Sequence, residues 1–262
     1  MLTLVFNAIR RLNYIPKIWK KAQVIMLLKP GKPGEQVASY RPISLLPIMS
    51  KLFEKLLLKR LRPLIEEKGL IPDHQFGFRQ KHSTVEQVHR VTDVIGKALE
   101  ERKFCCGVFL DIAQAFDKVW HEGLLNKLRQ HLPTNYCDLF NSYLSERQFR
   151  VISDEATSQW HNIAAGVPQG SVLGPILYLI FSADAPTSCD TTTAMFADDT
   201  AILAVSDTHA KATEKLQKAV DNFHRWTRQW KIQLNTMKSS HINFTLRQYN
   251  YTPVTFEGRI IP

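Results

Sequence analysis

Cysteine is scarce in this chain, and its spacing binds nothing obvious. Four cysteines in 262 residues (Cys105, Cys106, Cys137 and Cys189) show no C-x-x-C pattern. That argues against a zinc ribbon or a disulfide framework and fits a reducing compartment. Long apolar runs are missing too. The longest, "PILYLIF" from Pro175 to Phe181, falls far short of the roughly 20 residues that span a bilayer. The opening "MLTLVFNAIRR" has too short an apolar run for a signal peptide, and no membrane partner is expected. No repeat, low-complexity tract or flexible linker interrupts residues 1–262.

What is present is apolar mass and positive charge. The chain is 44% hydrophobic, enough to bury a real core in one large domain or two lobes. Its net charge is +10, which favours polyanions such as nucleic acid or an anionic membrane surface. Residues 1–103 hold 20 of the 34 basic and 9 of the 24 acidic side chains, so the whole excess lies there. A basic part beside a neutral part that carries clustered acids suits an enzyme acting on nucleic acid. Ordinary basic helix surfaces give the same count.

The hydrophobic pattern predicts a strand over Gln23–Leu28, ending in the Pro/Gly turn of "KPGKPG". Met49, Leu52, Phe53, Leu56, Leu57 and Leu61 have helical spacing, with Pro63 expected to kink or divide the helix and Gly69 to stop it. Ser83 and Glu86 form a capping box ahead of a helix running to about Lys103. "FCCGVFLDI" is a buried strand ending in Asp111, and "FDKVWHEGLLNKLRQHL" resumes helical spacing. "QFRVIS" reads as a strand, "SVLGPILYLIFSADA" as a buried helix, and "TTAMFADDTAILAV" as two strands with an acidic doublet between them. Leu216, Val220, Phe223 and Trp230 share one helical stripe, and "KIQLNTMKSSHINFTL" closes as strand, turn, strand. The mixture lacks strict β-α-β alternation, which predicts an α+β fold with helices packed on a mostly antiparallel sheet.

Asp198 and Asp199 interrupt an apolar stretch. Adjacent aspartates often serve only as turn residues, because Asp bonds readily to its own backbone. Here a third acid, Asp111, ends another buried strand. Neighbouring strands would bring three carboxylates to one sheet edge, where they require a positive partner. Oxygen ligands without His or Cys suit the hard cations Mg²⁺ or Mn²⁺. A pair of such ions about 4 Å apart supports phosphoryl transfer.

At this point the wording is recognisable. "FLDIAQAFDKVWH", "AGVPQGSVLGP", "FADD" and "LNTMKS" follow the order of the palm motifs of reverse transcriptases. "SYRPISLLP" and "HQFGFRQKHST" resemble the finger motifs of the non-LTR (LINE-type) retrotransposon branch, and the wording most resembles its jockey-like clade. The likeness runs from about Asn7 to Phe244.

The resemblance implies a right-hand polymerase with fingers at about 1–103 and 125–160 and palm at about 104–124 and 161–262, the thumb being largely absent. It implies that Asp111 and Asp198 bind both catalytic metals, that Asp199 is the third acid and a weaker ligand, and that the Ile112 carbonyl serves one metal. Asp117 reads as a helix-start cap and stays outside the metal set. Ala115 and Phe116 would lie at the nucleotide, with Phe116 under the sugar, obstructing a 2′-hydroxyl. Without the resemblance, Phe116 is simply a core aromatic. Gln169 would bond near the incoming nucleotide, and Gly170 would let backbone approach it. Lys238 matches a general acid for pyrophosphate departure. Lys29 and Arg41 match finger residues that close on the triphosphate, with Lys32 on the same loop as the alternative to Lys29. Arg79 would contact or position the template.

The resemblance therefore implies an RNA-directed DNA polymerase core using Mg²⁺ (or Mn²⁺), dNTPs, an RNA template and a DNA primer or nicked target DNA. The endonuclease and thumb regions of the full element protein would be its partners, and its place intracellular, in nucleus and cytoplasm. Two rivals stand beside it: an RNA-templated RNA polymerase, opposed by Phe116, and a truncated or domesticated remnant that binds RNA without polymerising.

Overall fold

The computed structural model describes residues 1–153 and 156–262. Along the chain lie α1 (Leu2–Leu12), β1 (Lys21–Leu28), β2 (Tyr40–Leu45), α2 (Ile48–Glu67), α3 (Thr84–Glu100), β3 (Phe104–Leu110), α4 (His121–His131) and α5 (Thr134–Leu144). There follow β4 (Gln148–Ser153), the short β5 (Ala156–Thr157) and β6 (His161–Asn162), α6 (Gly174–Ser182), β7 (Thr191–Phe196) and β8 (Asp199–Ser206). The last elements are α7 (His209–Gln229), β9 (Ser240–Phe244), β10 (Thr255–Phe256) and β11 (Arg259–Ile260). The class is α+β, as the pattern predicts. Among the described residues no helix is long and apolar enough to cross a membrane.

The chain forms two compact units. One comprises Met1–Leu70 and Phe116–Phe181, the other Ile71–Ala115 and Ser182–Pro262. These units cut the chain differently from the finger and palm boundaries given above. Residues 71–103 pack with the sheet that carries the acids, and residues 116–124 and 161–181 pack in the other unit.

In the first unit the sheet order is β2-β1-β4-β5, with β6 also on β4. β1 runs antiparallel to β2 and parallel to β4. β1 starts two residues before the predicted strand. Helix α2 buries Phe53, Leu57, Leu61 and Ile65, an i, i+4 stripe, together with Ser50 and Glu54. Leu52 and Leu56, expected on the buried stripe, are exposed instead. Pro63 does not divide the helix. It lies on the exposed side, where water can satisfy the carbonyl its ring deprives of a donor. Glu54 accepts the N–H groups of Val172 and Leu173 just before α6, at 2.9 and 3.1 Å, and the Ser50 hydroxyl at 3.1 Å. Helix α6 is thereby held by a buried carboxylate whose pKa burial pushes up.

The second unit is built on an antiparallel sheet in the order β7-β8-β3-β9. β3 is buried almost throughout because both of its faces are covered. Consecutive residues point to opposite faces. Cys105 packs with Ala98 of α3 and Leu203, while the Cys106 thiol lies 3.7 Å from the Thr213 hydroxyl of α7. The capping box forms as predicted: the Glu86 N–H donates to the Ser83 hydroxyl, and the Ser83 N–H donates to the Glu86 carboxylate at 2.7 Å. On α7, Leu216, Val220 and Phe223 are fully buried, each contributing about 2 kcal/mol. The predicted first strand of the closing pair is reduced to an isolated bridge between Leu234 and Ile112.

Candidate active site

The acids come together in the second unit. β3 and β8 pair antiparallel with Leu110 opposite Thr200. One step further, the same register sets Asp111 opposite Asp199. The doublet does not sit wholly in the turn. The hairpin loop is Ala197–Asp198, and Asp199 is the first residue of β8, paired with Phe196. Ala197 has φ +57°, a backbone state that suits a two-residue hairpin and is unfavourable for a residue with a Cβ.

Residues of the "HQFGF" segment hold that loop in place. The Gln75 side-chain carbonyl accepts the N–H of Ala197 at 2.9 Å and of Gly77 at 2.8 Å, and its NH₂ donates to the Ala197 carbonyl at 3.0 Å. Phe76 N–H donates to Met195 O, and Met195 N–H to His74 O, both at 2.9 Å. A Cβ on Gly77 would fall 2.1 Å from the Ala197 nitrogen, so only glycine fits there. The sequence shows this segment only as a family motif; its contact with residue 197 is 122 positions away.

The "LNTMKS" loop grips Asp111 by its backbone. The Asn235 N–H donates to the Asp111 carbonyl at 2.8 Å, and the Asp111 N–H donates to the Ser239 hydroxyl at 3.2 Å. The bridge uses the Ala113 N–H and the Asp111 carbonyl, so the Ile112 carbonyl takes no part in it. The exposed Lys238 ammonium lies 3.7 Å from an Asp111 carboxylate oxygen.

Burial and then the neighbouring charges of Asp199 and Asp111 push the Asp198 carboxyl above its ordinary pKa. Asp199, the more exposed of the pair, is pushed up by partial desolvation and by Asp111. Among the described residues, no group of three or more His, Cys, Asp or Glu side chains is gathered closely enough to hold a metal ion as it stands. The donor chemistry nonetheless fits a hard divalent cation. The donors are all oxygen, and burial resists the ionisation of Asp198 and Asp199, which a cation would offset. A cavity of about 500 Å³ opens beside them, lined by Asp111, Asp199, Lys238, Phe109 and Gln87 among others.

The remaining predicted residues divide between the units. Arg79 lies in the second, where its guanidinium donates to the carbonyls of Pro72 and Gln75 and sits 3.8 Å from Asp73, clipping its own loop. Ala115 is buried in that unit. In the first unit, Lys29 follows β1 with its N–H on Ser39 O, and Arg41 is exposed on β2 opposite Leu27. Lys32 is exposed on the intervening loop. The Phe116 ring stacks on Tyr178 at 5.0 Å, and the Phe116 carbonyl accepts the Val167 N–H. Gln169 and Gly170 meet β2: Ser44 N–H donates to Gln169 O at 2.8 Å. Gly170 has φ +102° and no room for a Cβ beside Ser44 O. Asp117 is not a helix cap. It accepts the Gln169 amide on both carboxylate oxygens.

An acidic hairpin paired with an acid-ended strand, in an antiparallel sheet covered by helices on both faces, is the palm of a polymerase fold. The chain belongs to the reverse transcriptase family: residues 27–258 match the family described as "Reverse transcriptase (RNA-dependent DNA polymerase)". It is 46% identical over 266 residues to "Probable RNA-directed DNA polymerase from transposon X-element" of Drosophila melanogaster, covering 100% of this chain and 29% of that protein. It is 43% identical over 268 residues to "RNA-directed DNA polymerase from mobile element jockey" of the same species, covering 99% and 29%. The chain thus spans about three-tenths of the length of these relatives. In fold it is similar to apo telomerase from Candida tropicalis truncated from its C-terminal domain. The TM-score is 0.60 at 12% identity, over 98% of this chain and 57% of that one.

Proposed function

We propose that this chain is the RNA-directed DNA polymerase core of a jockey-like non-LTR retrotransposon, extending a primer 3′ end with dNTPs on an RNA template. The observation that carries this reading is the register that faces Asp111 with Asp199 beside Asp198, with Lys238 next to Asp111. Asp111, Asp198, Asp199 and the Ile112 carbonyl would hold Mg²⁺ or Mn²⁺, which, when bound, supplies the charge that phosphoryl transfer needs. The primer 3′-oxygen attacks the α-phosphorus in line, and pyrophosphate departs. Lys238 would give that leaving group a proton. Lys29, Arg41 and Arg79 would serve triphosphate and template, and Phe116 would exclude a 2′-hydroxyl. The chain's fingers and palm, its DNA partner, its association with endonuclease and thumb regions, and its place in nucleus and cytoplasm belong to the same proposal.

Primer extension on an RNA template tests it, with dNTPs compared to NTPs. Preference for dNTPs is expected. Equal use of NTPs would replace this reading with an RNA polymerase.

A further inference from the structure

Asp117 is absent from the catalytic set, yet its side chain holds a glutamine of the motif loop in the first unit. The Gln169 NH₂ lies 2.9 and 3.0 Å from its two carboxylate oxygens. The surrounding backbone fixes both partners. Val167 N–H donates to Phe116 O at 2.7 Å, Gly166 N–H to Val119 O at 2.8 Å, and Ser44 N–H to Gln169 O at 2.8 Å. The His121 ring bonds the Gly166 carbonyl at 2.7 Å, tying α4 to the same loop. Both side chains line a cavity of about 480 Å³ together with Pro42 and Ser44 of β2.

A glutamine amide has two nearly isosteric faces, one donating and one accepting. An ionised carboxylate only accepts. It therefore draws the NH₂ to itself and turns the amide oxygen the other way. We propose that Asp117 is a positioning residue that fixes Gln169 with its amide oxygen presented to the incoming nucleotide, so that the site takes a nucleotide hydrogen-bond donor there. This rests on the polymerase reading above. The donor is a sugar hydroxyl or a base N–H; the chemistry at Gln169 is the same.

The test is a pair of exchanges in the whole chain, with primer–template bound. Asp117→Asn sets two amides face to face and frees Gln169 to flip. Gln169→Glu sets two carboxylates together. In the double variant D117N/Q169E the amide introduced at position 117 donates to the carboxylate introduced at position 169, and an acceptor again faces outward. Each single variant is expected to raise the dNTP KM about tenfold, with the effect on KM rather than kcat, and the double variant to return it to within about threefold of wild type. A uniform effect across four dNTPs identifies a sugar donor, and a base-dependent one a base donor. A double variant as impaired as the product of the singles would overturn the proposal, since loss of packing alone predicts no rescue. The same variants are titrated with dNTP on a chain-terminated primer. If wild type extends nothing, the polymerase reading fails. Equal dNTP affinity in wild type and D117N then overturns this one as well.

Discussion

Gln75 brackets Ala197, accepting its N–H and donating to its C=O through one amide. A single buried side chain thus replaces a strand neighbour for the residue that precedes Asp198. The strained loop that carries the acid is held by a segment far away in sequence.

Removing that bracket should be costly. Gln75→Ala leaves the buried N–H groups of Ala197 and Gly77 and the Ala197 carbonyl without partners. A loss of about 3 kcal/mol is expected in urea unfolding. Ala197→Gly should be neutral or stabilising by about 0.5 kcal/mol, because glycine accepts φ +57°. Gly77→Ala should cost more than Gln75→Ala, since its Cβ meets backbone.

Glu54 should give stability a pH dependence. Its folded pKa is raised by burial, so above the ordinary glutamate value the unfolded chain ionises while the folded chain keeps its proton. Stability therefore falls as pH rises from that value to the folded pKa, then levels. Urea midpoints measured from weakly acid to neutral pH should show this slope, and Glu54→Gln should flatten it. Glu54→Ala should also remove the slope and lose about 2 kcal/mol at weakly acid pH, where the carboxyl is protonated, by leaving the Val172 and Leu173 N–H groups unpaired, with a smaller loss relative to wild type as pH rises.

Divalent cation should stabilise the fold through the acids. At a hundredfold excess over its dissociation constant, Mg²⁺ should add about 2.7 kcal/mol, seen as a higher Tm that chelator reverses. Asp198→Ala should abolish most of that increase. An unchanged increase in this variant would place the cation elsewhere.

Phe116 should govern sugar choice. Its ring is held flat against Tyr178. Phe116→Ala is expected to raise NTP relative to dNTP use about tenfold, or ~1.4 kcal/mol in discrimination, in single-nucleotide kinetics. Tyr178→Ala should do the same more weakly by freeing the ring.

The acids were legible in sequence because charge in an apolar run is chemically conspicuous, and the Ser83–Glu86 cap because it is local. The role of Gln75 was not, since nothing local distinguishes a clamp from any loop glutamine. Asp117 shows the same limit: its capping position suggested a helix start, and only the return of the chain 52 residues later supplied Gln169. Pro63 does not divide α2 because it lies on the exposed side, where water reaches the carbonyl left without a donor. Leu52 and Leu56 misled because polar Ser50 and Glu54 took the buried face to hold α6.

The most direct test uses one preparation of wild type and Asp198→Ala, measuring RNA binding and Mg²⁺-dependent primer extension on the same RNA template. Both are expected to bind RNA equally, and only wild type to extend the primer. Binding without extension by wild type, or extension by Asp198→Ala, would contradict this.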